Sequence, residues 1–358
     1  MSEFFRLRVA QVRRETRDSV VLTLEPRPEE AHRFRHVQGQ YLTCKAILNG
    51  SEIRRSYSIC SAVGSTTLQV GIKHVPGGRF SSWANEVLAP GDIIEAMTPA
   101  GNFFLPLDSA TARHYLAIAA GSGITPMMSI LATTLAEEPR SRFTLLYGNR
   151  ASPSIMFREA LEDLKNRYLH RLNLVHVLTR EQQDVALFNG RIDSDKCAAL
   201  FKSWINIQSM DAAFLCGPLA MMEAVRGALL DHGMLPDAIK MELFEAPDAL
   251  APVSGRRGED ASTGAAGCQV RLIMHGRTTQ LTLTRGEETV LQAGERAGLE
   301  LPYSCRGGVC ATCQARLLEG EVDMYANYAL EDYEIARGYV LTCQAHPVTD
   351  RIVVDYDQ

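Results

Sequence analysis

The chain has 358 residues, 46% of them hydrophobic and 22% charged, with a formal net charge of −5. Those fractions are those of ordinary globular protein and exclude global disorder, while the length exceeds one ordinary core and predicts two or three folding units. A negative balance with no long Lys/Arg run argues against nucleic acid as a partner.

The first residues, Met1-Ser2-Glu3-Phe4-Phe5-Arg6-Leu7-Arg8, place charges where a secretory signal needs an apolar core, so no signal is expected here. Residues 1–108 then run in short alternating stretches: Phe5–Val12, Val20–Glu25, Tyr41–Leu48, Ile53–Cys60 and Leu68–His74. Turn residues such as Asn49-Gly50 and Pro76-Gly77-Gly78 separate them, a pattern that predicts an antiparallel β-barrel. Arg55-Ser56-Tyr57-Ser58 falls at the end of one strand, and Gly77-Gly78-Arg79-Phe80-Ser81-Ser82 leads into a short helix. Each has an ordinary reading, as a surface arginine on a strand and as a turn with an N-capping serine. Together they also supply what a flavin needs: a cation and a helix N-terminus for its phosphates, a flat ring surface, and a donor near its reactive nitrogen.

From 109 to 246 the pattern changes. Apolar runs (Tyr115–Ala120, Phe143–Tyr147, Leu172–Leu178, Ala212–Cys216) alternate with helical stretches (Met127–Ala136, Ile155–Tyr168, Ala220–Leu230), which predicts a doubly wound parallel sheet. Tyr115 to Ala136 carries no charge, yet Gly121-Ser122-Gly123, Thr125-Pro126 and Thr133-Thr134 make it a strand, a tight turn and a helix rather than a membrane span. A cytoplasmic protein with no membrane partner is therefore expected. Gly121-Ser122-Gly123-Ile124-Thr125-Pro126 lies at the first strand-to-helix turn, where such folds bind dinucleotides, and Pro126 sits at the tolerated helix start. Cys216-Gly217-Pro218 ends a later strand, and Cys216 is either a small buried apolar residue or a thiol with a chemical role. Arg150 follows the second strand and Thr179-Arg180 the third. The forked charge of Arg180 suits a phosphate, although both arginines read equally well as solvated surface.

Residues 247–267, rich in Ala, Gly, Ser and Pro, predict a flexible linker. In residues 268–358, Gln269–Met274 and Thr279–Leu283 form an expected hairpin, followed by a helix at Val290–Ala297 and a cysteine loop. Of nine cysteines, Cys44, Cys60, Cys197, Cys216 and Cys268 are scattered, while Cys305, Cys310, Cys313 and Cys343 gather near the C-terminus. Such a group in a reducing compartment argues for metal rather than disulfides. Cys305, Cys310 and Cys313 stand in C-x₄-C-x₂-C spacing with Cys343 as distant fourth, the pattern that holds a [2Fe–2S] cluster. Gly307 and Gly308 would let the loop turn its amides toward the sulfurs. Zinc sites use paired short spacings, which the five-residue step from Cys305 to Cys310 does not suit.

These motifs, in this order, resemble the ferredoxin–NADP reductase family, and Leu301-Pro302-Tyr303-Ser304 with Gly338–Ala345 resembles plant-type ferredoxins. The resemblance implies FAD held by Arg55, Ser56, Tyr57, Ser58, Gly77, Gly78 and Ser81. It implies a nicotinamide nucleotide at Gly121, Gly123, Thr125, Pro126, Arg150, Thr179, Arg180, Cys216, Gly217 and Pro218. Ser58, Tyr57 and Cys216 would border the reacting atoms, and Phe244 would lie near the flavin ring or in the core. The cysteine region would be an α+β (β-grasp) ferredoxin domain.

In NADP-specific relatives a Ser-Arg pair at the place of Thr179-Arg180 grips the 2′-phosphate. Here Thr stands for Ser, and the Lys and Tyr that often follow are not evident; NADPH is expected over NADH. The whole chain is similar to the oxygenase-reductase branch, which carries its ferredoxin at the C-terminus. Within it the chain is similar to the phenylacetyl-CoA epoxidase reductases, through segments such as Glu15-Thr16-Arg17-Asp18 and Gly190-Arg191-Ile192-Asp193. This implies electron flow from NADPH through FAD and [2Fe–2S] to a multicomponent oxygenase, with the linker letting the ferredoxin dock on each side in turn. An aromatic-ring or steroid hydroxylase is the alternative partner. A redox sensor would need an output module, and none is visible.

Overall fold

The computed structural model describes residues 3–244 and 267–358, which fall in two compact units, one spanning Phe4–Phe244 and one at the C-terminal end. The linker expected at 247–267 lies outside the described residues apart from Gly267.

In the first unit, β1 (Phe5–Thr16), β2 (Ser19–Glu25), β3 (Tyr41–Leu48), β4 (Ser51–Ser58) and β5 (Leu68–Lys73) precede α1 (Arg79–Glu86) and β6 (Ile93–Ala96). The sheet order is β4-β3-β6-β1-β2-β5, antiparallel throughout. Just beyond β4, a bridge between Ile59 and Val70 and a Cys60 N–H to Gln69 carbonyl bond of 2.9 Å bring the last strand back to the first and close the barrel. Alternation along β2 sends Val20, Leu22 and Leu24 into the barrel core. Val21, on the opposite face, packs with Cys60 and Phe103 into the core of the next sheet. The barrel and the parallel sheet thus share a continuous hydrophobic seam.

That second sheet follows as β7 (His114–Ala120), α2 (Ile124–Glu137), β8 (Arg142–Asn149), α3 (Arg158–Arg167), β9 (Leu172–Leu178), α4 (Ser194–Ser203), β10 (Ala212–Cys216), α5 (Leu219–Asp231) and β11 (Ile239–Glu242). All its pairings are parallel, in the order β11-β10-β7-β8-β9. The strand order reverses between β7 and β10, which makes their C-terminal ends the crevice for a ligand. The stretch from Tyr115 to Ala136 is a buried strand, a turn and α2, as its glycines and Pro126 indicate.

Two features depart from the sequence pattern. The helix expected from Ile155 begins only at Arg158, because Phe157 sits in the left-handed region at φ 58°. The Glu15 carboxylate, reaching across from β1, accepts the Phe157 N–H at 2.7 Å and pairs with Arg13. Helix α4 carries no long apolar stripe; Asp193 caps it, accepting the Lys196 N–H at 2.9 Å.

The C-terminal unit contains β12 (Gly267–Met274), β13 (Arg277–Thr284), α6 (Val290–Arg296), β14 (Gln314–Glu319), β15 (Val322–Met324), α7 (Asp332–Ala336), β16 (Tyr339–Leu341), β17 (Ala345–Pro347) and β18 (Arg351–Asp355). Five strands pair as β13-β12-β18-β14-β16, with β12 and β18 parallel and the rest antiparallel, and β15 pairs with β17. Helix α6 starts at a capping box: the Thr289 hydroxyl accepts the Gln292 N–H at 3.2 Å, and the Gln292 side chain accepts the Thr289 N–H at 2.9 Å. Val290, Leu291 and Ala293 on that helix pack with Val270, Leu272, Ile352 and Val354 of the sheet.

Candidate functional site

Strand alternation puts Arg55 and Tyr57 on one face of β4. The Arg55 guanidinium is exposed and donates to the Arg54 carbonyl at 2.7 Å, while Tyr57 is half-buried with its ring 5.4 Å from that of Phe80. Burial pushes the Tyr57 phenol above its ordinary value, so it stays neutral. Ser56 takes the other face, its hydroxyl 3.3 Å from that of Thr43. Ser58 ends the strand on the face opposite Arg55 and Tyr57, as alternation places it, and donates its hydroxyl to Glu242 Oε2 at 3.1 Å.

Gly77 and Gly78 lead into α1. Gly77 has φ +75°, with open space where a side chain would stand. No side chain caps the helix: the Ser81 hydroxyl donates to the Gly78 carbonyl at 3.1 Å and accepts the Val75 N–H at 3.1 Å, locking the turn. The first amides of α1 therefore lack a side-chain acceptor, and Arg55 with this helix end offers the donor set a pyrophosphate requires.

At the crevice of the parallel sheet, Gly121 has φ +55° and its carbonyl accepts the Tyr147 hydroxyl at 2.8 Å. A Cβ at Gly123 would overlap the carbonyl of Cys216, so only glycine lets the start of α2 lie against the end of β10. A Cβ at Gly217 would meet Met221 Cε at 2.5 Å and Ala120 Cβ at 3.2 Å, which keeps the neighbouring turn equally close. Pro218 precedes α5 in the extended region at φ −59° and ψ 140°. Thr125 and Pro126 are buried in the first turn of α2, and the Thr125 hydroxyl turns back to the Ser122 carbonyl at 3.0 Å. Thr125 also faces Gly71 of β5, where a Cβ would stand 2.8 Å from its methyl. Arg150, Thr179 and Arg180 are exposed at the ends of β8 and β9, with the Arg180 N–H donating to the Arg150 carbonyl at 2.7 Å.

Cys216 is fully buried, and burial followed by the Glu242 charge drives its thiol well above the ordinary range. Of the two readings of this residue, the small buried one describes its surroundings, and thiolate chemistry is disfavoured there. Phe244 is 38% exposed, so it does not serve as core. The sequence pattern did not point to Glu242 as a functional residue. Burial raises its carboxyl to about 8 against the opposing Ser58 hydrogen bond, so it keeps a proton at neutral pH beside the switch point. Its only sequence signal is its place at the end of the last parallel strand.

In the C-terminal unit the four spaced cysteines converge. Cys305 lies within hydrogen-bond reach of Cys310 and Cys343, and Cys343 of Cys313. The Cys305 thiol is held far below its ordinary range, first by Cys310 and Cys343 and then by the amides of Gly307 and Val309. The Gly307 N–H donates to Cys305 Sγ at 3.4 Å, and the Cys305 N–H donates to Cys310 Sγ at 3.5 Å. Arg306 and Ala311 occupy the left-handed region at φ 57° and 52°, a strain of order 1–3 kcal/mol each that bends the loop around the sulfurs. Gly308, at φ +75°, also packs so closely that a Cβ would sit 2.6 Å from the Ala326 carbonyl oxygen. Four thiols drawn together, two of them receiving backbone N–H bonds, have the donor chemistry of a [2Fe–2S] site.

A barrel with an open phosphate turn, a parallel sheet with a nucleotide crevice and a thiolate cup together define a flavin- and nicotinamide-dependent iron–sulfur oxidoreductase. Residues 6–105 match the Oxidoreductase FAD-binding domain, 117–227 the Oxidoreductase NAD-binding domain, and 272–348 the 2Fe-2S iron-sulfur cluster binding domain. The chain is 46% identical over 359 residues to the E component of the 1,2-phenylacetyl-CoA epoxidase of Escherichia coli (strain K12), covering 100% of this chain and 99% of that protein. It is 34% identical to the 3-ketosteroid-9-alpha-monooxygenase ferredoxin reductase component of Mycolicibacterium smegmatis, over 100% and 98% of the two chains. Among solved structures, phthalate dioxygenase reductase matches with a TM-score of 0.59 at 25% identity over 98% of both chains. The chain belongs to the family of flavin- and [2Fe–2S]-containing reductase components of oxygenases. Its cofactors are FAD, a [2Fe–2S] cluster and a pyridine nucleotide, and its electron acceptor is an oxygenase. Among the described residues no helix is long and apolar enough to cross a membrane.

Proposed function

We propose that this chain takes electrons from NADPH and delivers them to the oxygenase component of a phenylacetyl-CoA 1,2-epoxidase, in the cytoplasm. The observation that carries the partner assignment is the 46% identity over the whole length to a component of such an epoxidase, against 34% to a steroid monooxygenase reductase. NADPH is favoured by the forked guanidinium of Arg180 beside Thr179, a pairing suited to a 2′-phosphate. We assign residues 1–108 to flavin, 109–246 to nucleotide and 268–358 to the cluster.

When bound, the cofactors supply the conversion of a nicotinamide's electron pair into single electrons. The protein's own residues bind and orient them. Arg55 and the α1 N-terminus receive the flavin pyrophosphate, with Gly77, Gly78 and Ser81 shaping the turn. Tyr57 offers its ring to the flavin, and Ser56 steadies the strand. Gly121, Gly123, Pro126 and Gly217 bring β7, α2 and β10 close enough to form a nicotinamide slot. Ser58 positions a hydroxyl at the slot's floor, and the Glu242 carboxyl bonded to it can hold or release a proton. Cys305, Cys310, Cys313 and Cys343 hold the irons.

The test is reconstitution. Mixed with the oxygenase component of the epoxidase, the holoprotein should support phenylacetyl-CoA-dependent NADPH consumption and epoxide formation. Coupling instead to a ketosteroid monooxygenase oxygenase, with none to the epoxidase, would overturn the partner assignment in favour of the steroid alternative.

A further inference from the structure

At the C-terminal ends of β8 and β9, a cleft of about 790 Å³ opens between the parallel sheet and the barrel. One wall holds Arg150 and Arg180, and the other holds Arg14, Arg17 and His74 from the barrel. Arg14 is anchored: it donates to the Asn85 side-chain oxygen at 3.1 Å and to the Asn85 carbonyl at 2.6 Å. The guanidinium groups of Arg17, Arg150 and Arg180 make no hydrogen bond or ion pair among the described residues. Neither acid of the cleft pairs with Arg17, Arg150 or Arg180 among the described residues. Asp18 accepts the Thr16 hydroxyl at 2.8 Å and lies 3.7 Å from Lys73, and Glu86 lies 3.9 Å from His74. Three free forked cations facing one cavity repel one another, and a multiply charged anion would relieve that repulsion.

Position narrows the anion. The nicotinamide slot lies at β7 and β10, so a dinucleotide laid across the strand ends brings its adenosine half to β8 and β9. A cavity of this volume accommodates that half, whereas a free inorganic ion would fill little of it. The two walls are also held at fixed separation. Glu15, two residues before Arg17, binds the Phe157 N–H just after Arg150 and Ser154 in the chain. Ser152 donates through its N–H and hydroxyl to Glu181 at 2.7 and 2.6 Å, which ties the Arg180 turn to the same wall.

We propose that Arg17, on the β1–β2 turn of the barrel, is a specificity-determining residue that closes on the 2′-phosphate of the nucleotide opposite Arg150 and Arg180. The preference for a phosphorylated nucleotide is then set by both domains rather than by the nucleotide domain alone. This rests on the NADPH reading above and adds a residue to it.

The experiment compares binding of 2′,5′-ADP and 5′-AMP to the wild-type holoprotein and to Arg17→Gln by calorimetry, with NADPH and NADH kinetics beside it. Arg17 is exposed, so the variant should fold normally. Loss of one charge-assisted fork predicts about tenfold weaker 2′,5′-ADP binding, unchanged 5′-AMP binding, and about tenfold higher KM for NADPH with kcat and NADH kinetics unchanged. If the wild type prefers 2′,5′-ADP and Arg17→Gln keeps that ratio while Arg180→Gln loses it, the Arg17 proposal falls and the NADPH reading stands. If the wild type binds the two nucleotides equally, the NADPH reading falls and takes the proposal with it.

Discussion

The cysteine loop and the flavin–nucleotide unit build their sites in opposite ways. In the loop, three of the four clustered cysteines lie within nine residues, and the backbone around them takes left-handed angles at Arg306, Gly308 and Ala311. The chemistry there is carried by the side chains themselves, and the strain is local. In the flavin–nucleotide unit the site is assembled from far apart: Ser58 meets Glu242 across 184 residues, and Gly123 and Gly71 matter because they have no side chain. The lesson is that a short-range ligand set survives as a sequence pattern, whereas a site made by close approach shows only when the approaching partner is known.

That contrast predicts different failures, the largest first. Replacing Cys310→Ser should remove the cluster's visible bands and reduce electron delivery to an oxygenase to background, while nucleotide-dependent bleaching of the flavin persists. Loss of both signals together would mean the two halves are not independent sites. Gly123→Ala should act in the other half. Forcing a Cβ onto the Cys216 carbonyl should displace the nicotinamide slot and slow flavin reduction on the order of 100-fold, with about 1–3 kcal/mol of overpacking cost. Stopped-flow flavin bleaching reads the rate, and an unchanged rate would show that this close approach is not what shapes the slot.

Glu242 gives a pH signature. Between the ordinary 4.5 and about 8, the folded carboxyl holds a proton that the unfolded one has lost. The stability that Glu242 itself contributes to the flavin–nucleotide unit should therefore be full below about pH 4.5 and be lost as pH rises through about 8. Glu242→Gln should flatten that decline, melting higher than the wild type above about pH 8 and converging with it near about pH 5. Parallel melting curves at every pH would contradict the raised value. The smallest effect belongs to the ferredoxin end: Thr289→Ala removes the α6 cap and should cost that unit about 1 kcal/mol, seen as earlier thermal bleaching of the cluster bands, with the spectrum at room temperature unchanged.

Much of this architecture was legible because its signals are short-range. The strand at Tyr41–Leu48 and the cysteine spacing need only neighbouring residues to be read. The start of α3 was not legible, since Phe157 adopts a left-handed angle only because Glu15 of another sheet accepts its N–H. Three-residue strands such as β15, β16 and β17 are too short for any period to show. Arg55 and Tyr57 fell on one face as alternation requires, and the same alternation turns Ser58 to the other, where it meets a carboxyl from the parallel sheet that no local pattern shows. In the sequence Arg17 stood out only within a segment shared with related reductases, and its company of Arg150 and Arg180 exists only in the folded unit.

If electrons run in a single path from nicotinamide through flavin to cluster, anaerobic titration of the purified holoprotein with NADPH, followed by visible absorbance, will reveal it. Flavin and iron–sulfur bands should both bleach, and at far lower NADPH than NADH. Iron and flavin that are present yet bleached by neither nucleotide would contradict it.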